Sequence, residues 1–138
     1  MANNIQDLMK SANETLKALQ RFEDSFERFE NQYDREAVSI DERSQFNQLR
    51  RIYDSSLDIT NSLKFLQKPV RAEGALRKQS NGRYQVEGVE LTSGHSIELY
   101  DDEDDIFYPT SIEHNGEDYY IVFLGREVPI ESKLVRIR

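Results

Sequence analysis

Apolar residues recur at alternating spacings of three and four along the start of the chain, at Ile5, Leu8, Ala12, Thr15, Leu19, Phe22, Phe26, Phe29 and Tyr33. This is a heptad register with only Thr15 off type, and Leu16 lies beside it on the same stripe. No Gly or Pro interrupts residues 1–68. The pattern predicts a helix over residues 4–33, roughly 45 Å long. Ser39-Ile40-Asp41-Glu42 then places a serine three positions ahead of a glutamate, the capping-box spacing of a new helix start. The stripe of that second helix is Phe46, Leu49, Ile52, Tyr53, Leu57, Ile59, Leu63 and Leu66, and Pro69 ends it.

The two helices are expected to fold back on each other as an antiparallel, coiled-coil-like hairpin. Two helices alone cannot cover three phenylalanines from both sides. Leu19, Phe22, Phe26, Phe29 and Tyr33 are therefore expected to form a self-association seam, with a homodimer of four-helix type as its natural product. A docking face for a partner helix is the other reading of that stripe.

From Gly74 onward the period changes to two and the punctuation to Gly and Asn. Asn81-Gly82, between Leu76-Arg77-Lys78 and Tyr84-Gln85-Val86, predicts a tight hairpin with two positive-φ turn residues, and Asn115-Gly116 repeats the device. Val89-Glu90-Leu91 and Ile97-Glu98-Leu99 alternate about the turn Thr92-Ser93-Gly94-His95. Residues 119–124 read as a strand buried on both faces, and Leu134-Val135-Arg136-Ile137-Arg138 as a last short strand. The fold class is thus α+β: a helical hairpin over residues 1–68, a short linker Arg71-Ala72-Glu73, and a small five- to six-stranded antiparallel β barrel over residues 74–138.

Composition narrows the chemistry. The 138 residues include no cysteine, which excludes disulfides, thiolate metal sites and thiol nucleophiles and fits a cytoplasmic setting. No basic-then-apolar leader opens the chain and no apolar run is long enough to span a bilayer, so neither secretion nor membrane insertion is expected. Charged residues reach 32% and hydrophobic ones only 37%, against about 45 to 50% in an average domain, as long helices with wet outer faces require. The net charge of −8 is uneven: residues 1–68 carry 10 basic and 12 acidic side chains, residues 69–138 carry 8 and 14. With a pI near 4.8, direct nucleic-acid binding is disfavoured.

The densest feature is the run of residues 98–105, where Glu98, Asp101, Asp102, Glu103, Asp104 and Asp105 put six carboxylates into eight positions. Mutual repulsion requires them to project from a turn into water. Three readings follow: a solvated turn that protects a strand edge, an acidic patch that meets a basic protein surface, or a divalent-cation site. The last fails the calcium-loop spacing, because the sixth residue from Asp101 is Ile106 and the twelfth Ile112. Tyr100, Phe107 and Tyr108 flank the run. As a partner-binding set, Glu98, Tyr100, Asp101, Asp102, Glu103, Asp104, Asp105 and Tyr108 combine carboxylates that imitate phosphates with rings that offer stacking area. The bland alternative is that Phe107 is core and the tyrosines are half-buried sheet residues.

No catalytic constellation emerges. His95 and His114 both fall in turns, Gly125-Arg126-Glu127 lacks a phosphate-loop context, and no cofactor is expected.

The run Gly82-Arg83-Tyr84, Leu91-Thr92-Ser93-Gly94, Ile97-Glu98-Leu99, Ser111-Ile112-Glu113-His114, Tyr119-Tyr120 and Val135-Arg136-Ile137-Arg138 resembles an uncharacterised small β domain encoded on plasmids and phages of Gram-positive bacteria. That resemblance covers residues 74–138 and brings no catalytic residues with it. It implies a mobile-element context, where accessory factors include inhibitors of host defence such as anti-CRISPR proteins. The function expected is a non-enzymatic interaction protein whose acidic domain occludes a basic surface, as on a defence nuclease or its guide-RNA complex. The competing expectation is a structural or regulatory adaptor that grips its partner by the apolar helical stripe.

Overall fold

The computed structural model describes residues 4–138 and divides the chain into a unit ending at Lys68 and a second spanning Pro69–Arg138. The first holds helix α1 (Ile5–Asn31) and helix α2 (Ile40–Gln67), joined through a single 3₁₀ turn at Arg35–Ala37. Local chemistry sets the helix starts. The Asn4 side chain accepts from the Asp7 backbone N–H at 3.0 Å while Asp7 accepts in return from Asn4 N, and the Ser39 hydroxyl accepts from Glu42 N at 3.2 Å. Each satisfies amides that an uncapped first turn leaves without partners.

The helices run antiparallel, because rising α1 numbers meet falling α2 numbers. Gln67 bonds Asn13, Ser56 and Thr60 bond Glu23, Tyr53 bonds Glu27, and Arg50 pairs with Glu30. The seam centres on a ladder of rings. Phe26 stacks on Phe46 at 5.3 Å and on Tyr53 at 4.4 Å, and Tyr33 stacks on Phe46 at 4.1 Å. Arg50 caps the Phe46 ring at 5.2 Å. Since Gln67 meets Asn13, the first turns of α1 run past the end of α2, and Ile5 and Leu8 are each 64% exposed.

The second unit contains eight strands: β1 (Ala72–Ala75), β2 (Arg77–Lys78), β3 (Tyr84–Val86), β4 (Val89–Glu90), β5 (His95–Asp101), β6 (Ile106–His114), β7 (Tyr119–Ile121) and β8 (Leu134–Ile137). They form an antiparallel five-stranded sheet ordered β1-β8-β5-β6-β7 and a three-stranded sheet ordered β2-β3-β4. The expected barrel is therefore corrected to two open sheets. Closure needs strands long enough to tilt and stagger around a ring; β2 and β4 have two residues each and β3 and β7 three, so β1 and β7 remain edges.

Other expectations change as well. The stretch Arg71-Ala72-Glu73 is not a linker, because Ala72 is buried and opens β1 against Ile137. The first Asn-Gly hairpin uses a wider loop than a two-residue turn: Gly82 N bonds Gln79 O, Gln79 N bonds Arg83 O, and of the Asn-Gly pair only Gly82 has positive φ, at 85°. At the second, Asn115 accepts from the amides of both Glu117 and Asp118, and again only the glycine is left-handed. Strands β4 and β5 do not pair; β4 lies on β3, and β5 sits between β8 and β6. Residues 119–124 carry a strand only to Ile121, after which Val122 and Phe123 turn outward and are about half exposed.

The core of this unit gathers Leu76, Val86, Leu91, Ile97, Ile112, Ile121, Val135 and Ile137, all fully shielded, with Ala72, Tyr84, Leu99 and Ile130 closing its margins. Alternation along β5 and β8 explains the selection, since Ile97 and Leu99 point inward with Val135 and Ile137 while Glu98 and Arg136 point to the other face.

Candidate interaction surface

Strands β5 and β6 run as one long ladder from His95 paired with Ile112 to Asp101 paired with Ile106, and residues 102–105 form the four-residue turn at its tip. This turn contains neither Gly nor Asn. Its left-handed position, φ 55°, is taken by Asp105, a residue type that tolerates that conformation. The carboxylates partly organise the turn themselves: Asp101 accepts from Glu103 N at 3.0 Å, and Asp105 accepts from the Tyr100 hydroxyl at 2.7 Å. That last bond pushes the Tyr100 hydroxyl pKa above its ordinary value, with neighbouring carboxylate charge adding to it. Among the described residues, Asp102 and Asp104 are exposed and make no hydrogen bond or ion pair.

Glu98 departs from the expected set. It sits mid-strand in β5, opposite Pro109 on one side and Arg136 on the other, only 7% exposed, with Arg138 Nε donating to it at 2.6 Å. A carboxylate held so centrally is already partnered and contributes nothing to an outward patch. Around it, Arg136 pairs with Glu73 and lies 3.9 Å over the Phe107 ring, which itself meets Tyr100 edge-on at 5.5 Å.

Tyr108 is exposed as expected and has a companion the sequence did not announce: its ring lies 4.5 Å from that of Phe123. Phe123 reaches this position because Val122 N bonds Ser111 O and Phe123 N bonds the Thr110 hydroxyl, folding the segment after β7 along β6. Between this segment, the acidic turn and β8 lies an open groove of about 500 Å³, whose lining includes Asp101, Asp102, Glu103, Phe123, Lys133 and Leu134. Strand β7 pairs only with residues 112–114, so the tip half of β6 is bare on that side. Pro109 lies in this half and removes one donor from its edge.

On the helices, the aromatic part of the expected seam packs largely within the hairpin. Phe26 is buried, Phe22, Tyr33 and Leu19 are half-buried, and Phe29 alone of the five is exposed, at 46%. Phe26, Phe29 and Tyr33 pack on Phe46 of the same chain and Phe22 lies against Phe26, while Leu19 lines a groove with Ile52 and Ile59. Sequence reasoning passed over Glu23, a carboxylate only 7% exposed whose Oε2 accepts from Ser56 at 2.5 Å and Thr60 at 2.6 Å. The available signal was the pair of hydroxyls one turn apart on the inner face of α2.

The histidines stand at strand ends rather than in turns, His95 opening β5 and His114 ending β6. His95 faces Arg71 at 3.4 Å, and burial together with that guanidinium lowers its pKa. The ring of His114 accepts from Gly116 N and lies edge-on to Tyr119 at 4.7 Å. Among the described residues no group of three His, Cys, Asp or Glu side chains is placed to hold a metal ion, and no helix is long and apolar enough to cross a membrane.

Residues 74–137 match the model of a family described as a domain of unknown function, DUF5348. The matched segment begins inside β1, ends with β8 and leaves the helices outside. No curated protein and no solved structure matches the chain.

Proposed function

We propose that the protein is a non-enzymatic interaction factor whose DUF5348 domain engages a basic partner through the β5–β6 tip and the groove beside it. One observation carries this reading. Exposed carboxylates at Asp102, Glu103, Asp104 and Asp105 adjoin exposed apolar and aromatic side chains at Tyr108, Phe123 and Leu134. Carboxylates steer and orient a cationic partner, while apolar anchors supply most of the affinity. The partner class is a basic surface that otherwise holds nucleic acid. The resemblance of the C-terminal run to a domain of plasmids and phages favours a cytoplasmic host defence nuclease or its guide-RNA complex, with occlusion of the anti-CRISPR type as the mode of action.

The test is a titration against an arginine-rich peptide carrying leucine anchors, followed by a cleavage assay with a guide-loaded nuclease. Changing Asp102, Asp104 and Asp105 together to Asn is expected to weaken peptide binding by about tenfold and to flatten its salt dependence. Phe123→Ser should weaken binding without altering the salt slope. Affinity indifferent to both changes, or no effect on cleavage, would sink the proposal. A second reading, an adaptor that grips a partner by its helices, is favoured by the exposed Leu49, Ile52 and Ile59. Under that reading Ile52→Asp blocks capture and the tip substitutions do not.

A further inference from the structure

Helix α2 presents two faces. The inner one, Phe46, Tyr53, Ser56 and Thr60, packs on α1. A second stripe at Leu49, Ile52 and Ile59 is 43%, 55% and 49% exposed, and its spacings of three and seven keep one heptad register. Beside it runs an uncharged row, Gln48, Ser55 and Ser62, and beyond that row stand Arg51 and Asp58. A shallow groove of about 360 Å³ lies here, lined by Leu19, Arg51, Ile52, Ser55, Ser56 and Ile59. Arg51 and Asp58 occupy the same heptad position one heptad apart, about 10.5 Å along the axis, and are exposed. Among the described residues neither takes part in an ion pair.

We infer that the outer face of α2 is a self-pairing surface: α2 of a second copy docks on it antiparallel, about a two-fold axis beside Ser55. Charge placement selects both occupant and direction. In a two-fold antiparallel pair, the same side of each helix meets with reversed direction, so Arg51 of one copy faces Asp58 of the other, twice. Ile52 faces Ile59 across the same axis, also twice. Parallel pairing would instead bring opposite flanks together, leaving Arg51 and Asp58 with no charge partner across the seam. Opposite charges at matched flanking positions are the device by which helical pairs choose their orientation. The product is a four-helix assembly built through α2 rather than through the phenylalanines of α1, and it is independent of what the β tip binds.

Light scattering on the full chain should give twice the 16.2 kDa mass. Arg51→Asp and Asp58→Arg are each expected to weaken dimerisation by about tenfold, and the double exchange to restore it, because two flanking pairs turn repulsive and then attractive again. Both positions lie on the surface, and helical circular dichroism checks that the hairpin stays folded. The chain contains no cysteine, which makes a directional test simple. Gln48→Cys mixed with Ser62→Cys should cross-link under oxidation, while Gln48→Cys alone should not. A monomeric chain, a dimer indifferent to the single charge reversals, or self-cross-linking of Gln48→Cys would overturn the inference. An Ile52→Asp variant that loses a foreign partner but never formed dimers would reassign the face to a heterologous protein.

Discussion

The two units bury very different things. The β unit closes over aliphatic side chains with no solvent exposure at all, such as Ile97, Ile112 and Val135. The helical unit buries Leu16, Phe26 and Phe46 together with Glu23, Ser56 and Thr60, while Leu49, Ile52 and Ile59 remain largely in water. A sheet pair with a closed core is satisfied by its own chain. A two-helix hairpin has one inner seam only, and whatever apolar surface exceeds it must find another use. The contrast separates a unit with a fully shielded aliphatic centre from one whose inner seam mixes rings with buried polar groups and leaves an apolar stripe of its second helix uncovered.

The largest break in that contrast should come from the β core. Ile112→Ala removes buried methyls from a site with no room to collapse, and is expected to lower the unfolding free energy by about 4 kcal/mol in urea denaturation. Phe26→Ala should cost about 3 kcal/mol by the same measurement, less than a full core truncation because the remaining rings of the two-layer seam can close partly over the gap. A result in which Phe26→Ala is the more damaging would reverse the ranking of the two units.

Glu23→Ala leaves the Ser56 and Thr60 hydroxyls without their acceptor, at an expected loss of about 2 kcal/mol. Replacing all three by Leu, Ala and Val should recover most of that loss if the polar trio serves specificity more than stability.

The smallest effects are in pH dependence. The hydrogen bond to Glu27 pushes the Tyr53 hydroxyl up to about 12, so the neutral phenol is favoured in the folded hairpin. Its stabilisation is complete below the unfolded value near 10 and is lost as pH rises from there towards 12. Tyr53→Phe should remove that slope from the helical melting profile. His95 in the β unit behaves oppositely. Its lowered pKa means the folded state resists protonation, so stability falls as pH drops below the unfolded value near 6.5. A His95→Asn variant melting with the same acid slope as the parent would show that other groups carry it.

Elements with a strong local signature were legible in the sequence. The 3–4 spacing through Phe22, Phe26 and Phe29 and the cap at Ser39 need only neighbouring residues to act, and both helices form there, the first ending at Asn31 rather than Tyr33. Which face of α2 is covered was not legible. Phe46 and Leu49 look equivalent in a pattern, and only the rings of Phe26, Phe29 and Tyr33 packed on Phe46 decide that it is covered while Leu49 stays 43% exposed.

The β unit shows the same division. Hairpins at Asn81-Gly82 and Asn115-Gly116 were signalled, yet their loop lengths were not, because Asn side chains that accept backbone amides compete with the two-residue turn. Glu98 read as one more exposed carboxylate because its partner, Arg138, lies 40 positions away. The acidic turn was visible as charge, while the Phe123 beside Tyr108 required the chain to turn after Ile121, which no local residue marked.

The buried trio of Glu23, Ser56 and Thr60 has one more consequence, for alignment. A seam of rings and leucines looks nearly the same after sliding one heptad, so its energy alone would allow several staggered hairpins. Sliding α1 by seven residues would set Glu23 against Leu49 or Leu63 and take it away from the Ser56 and Thr60 hydroxyls, a loss of two buried hydrogen bonds at about 2 kcal/mol. The carboxylate thus works as an index mark, leaving one stagger out of several, and that stagger sets how far Ile5 and Leu8 extend beyond Gln67.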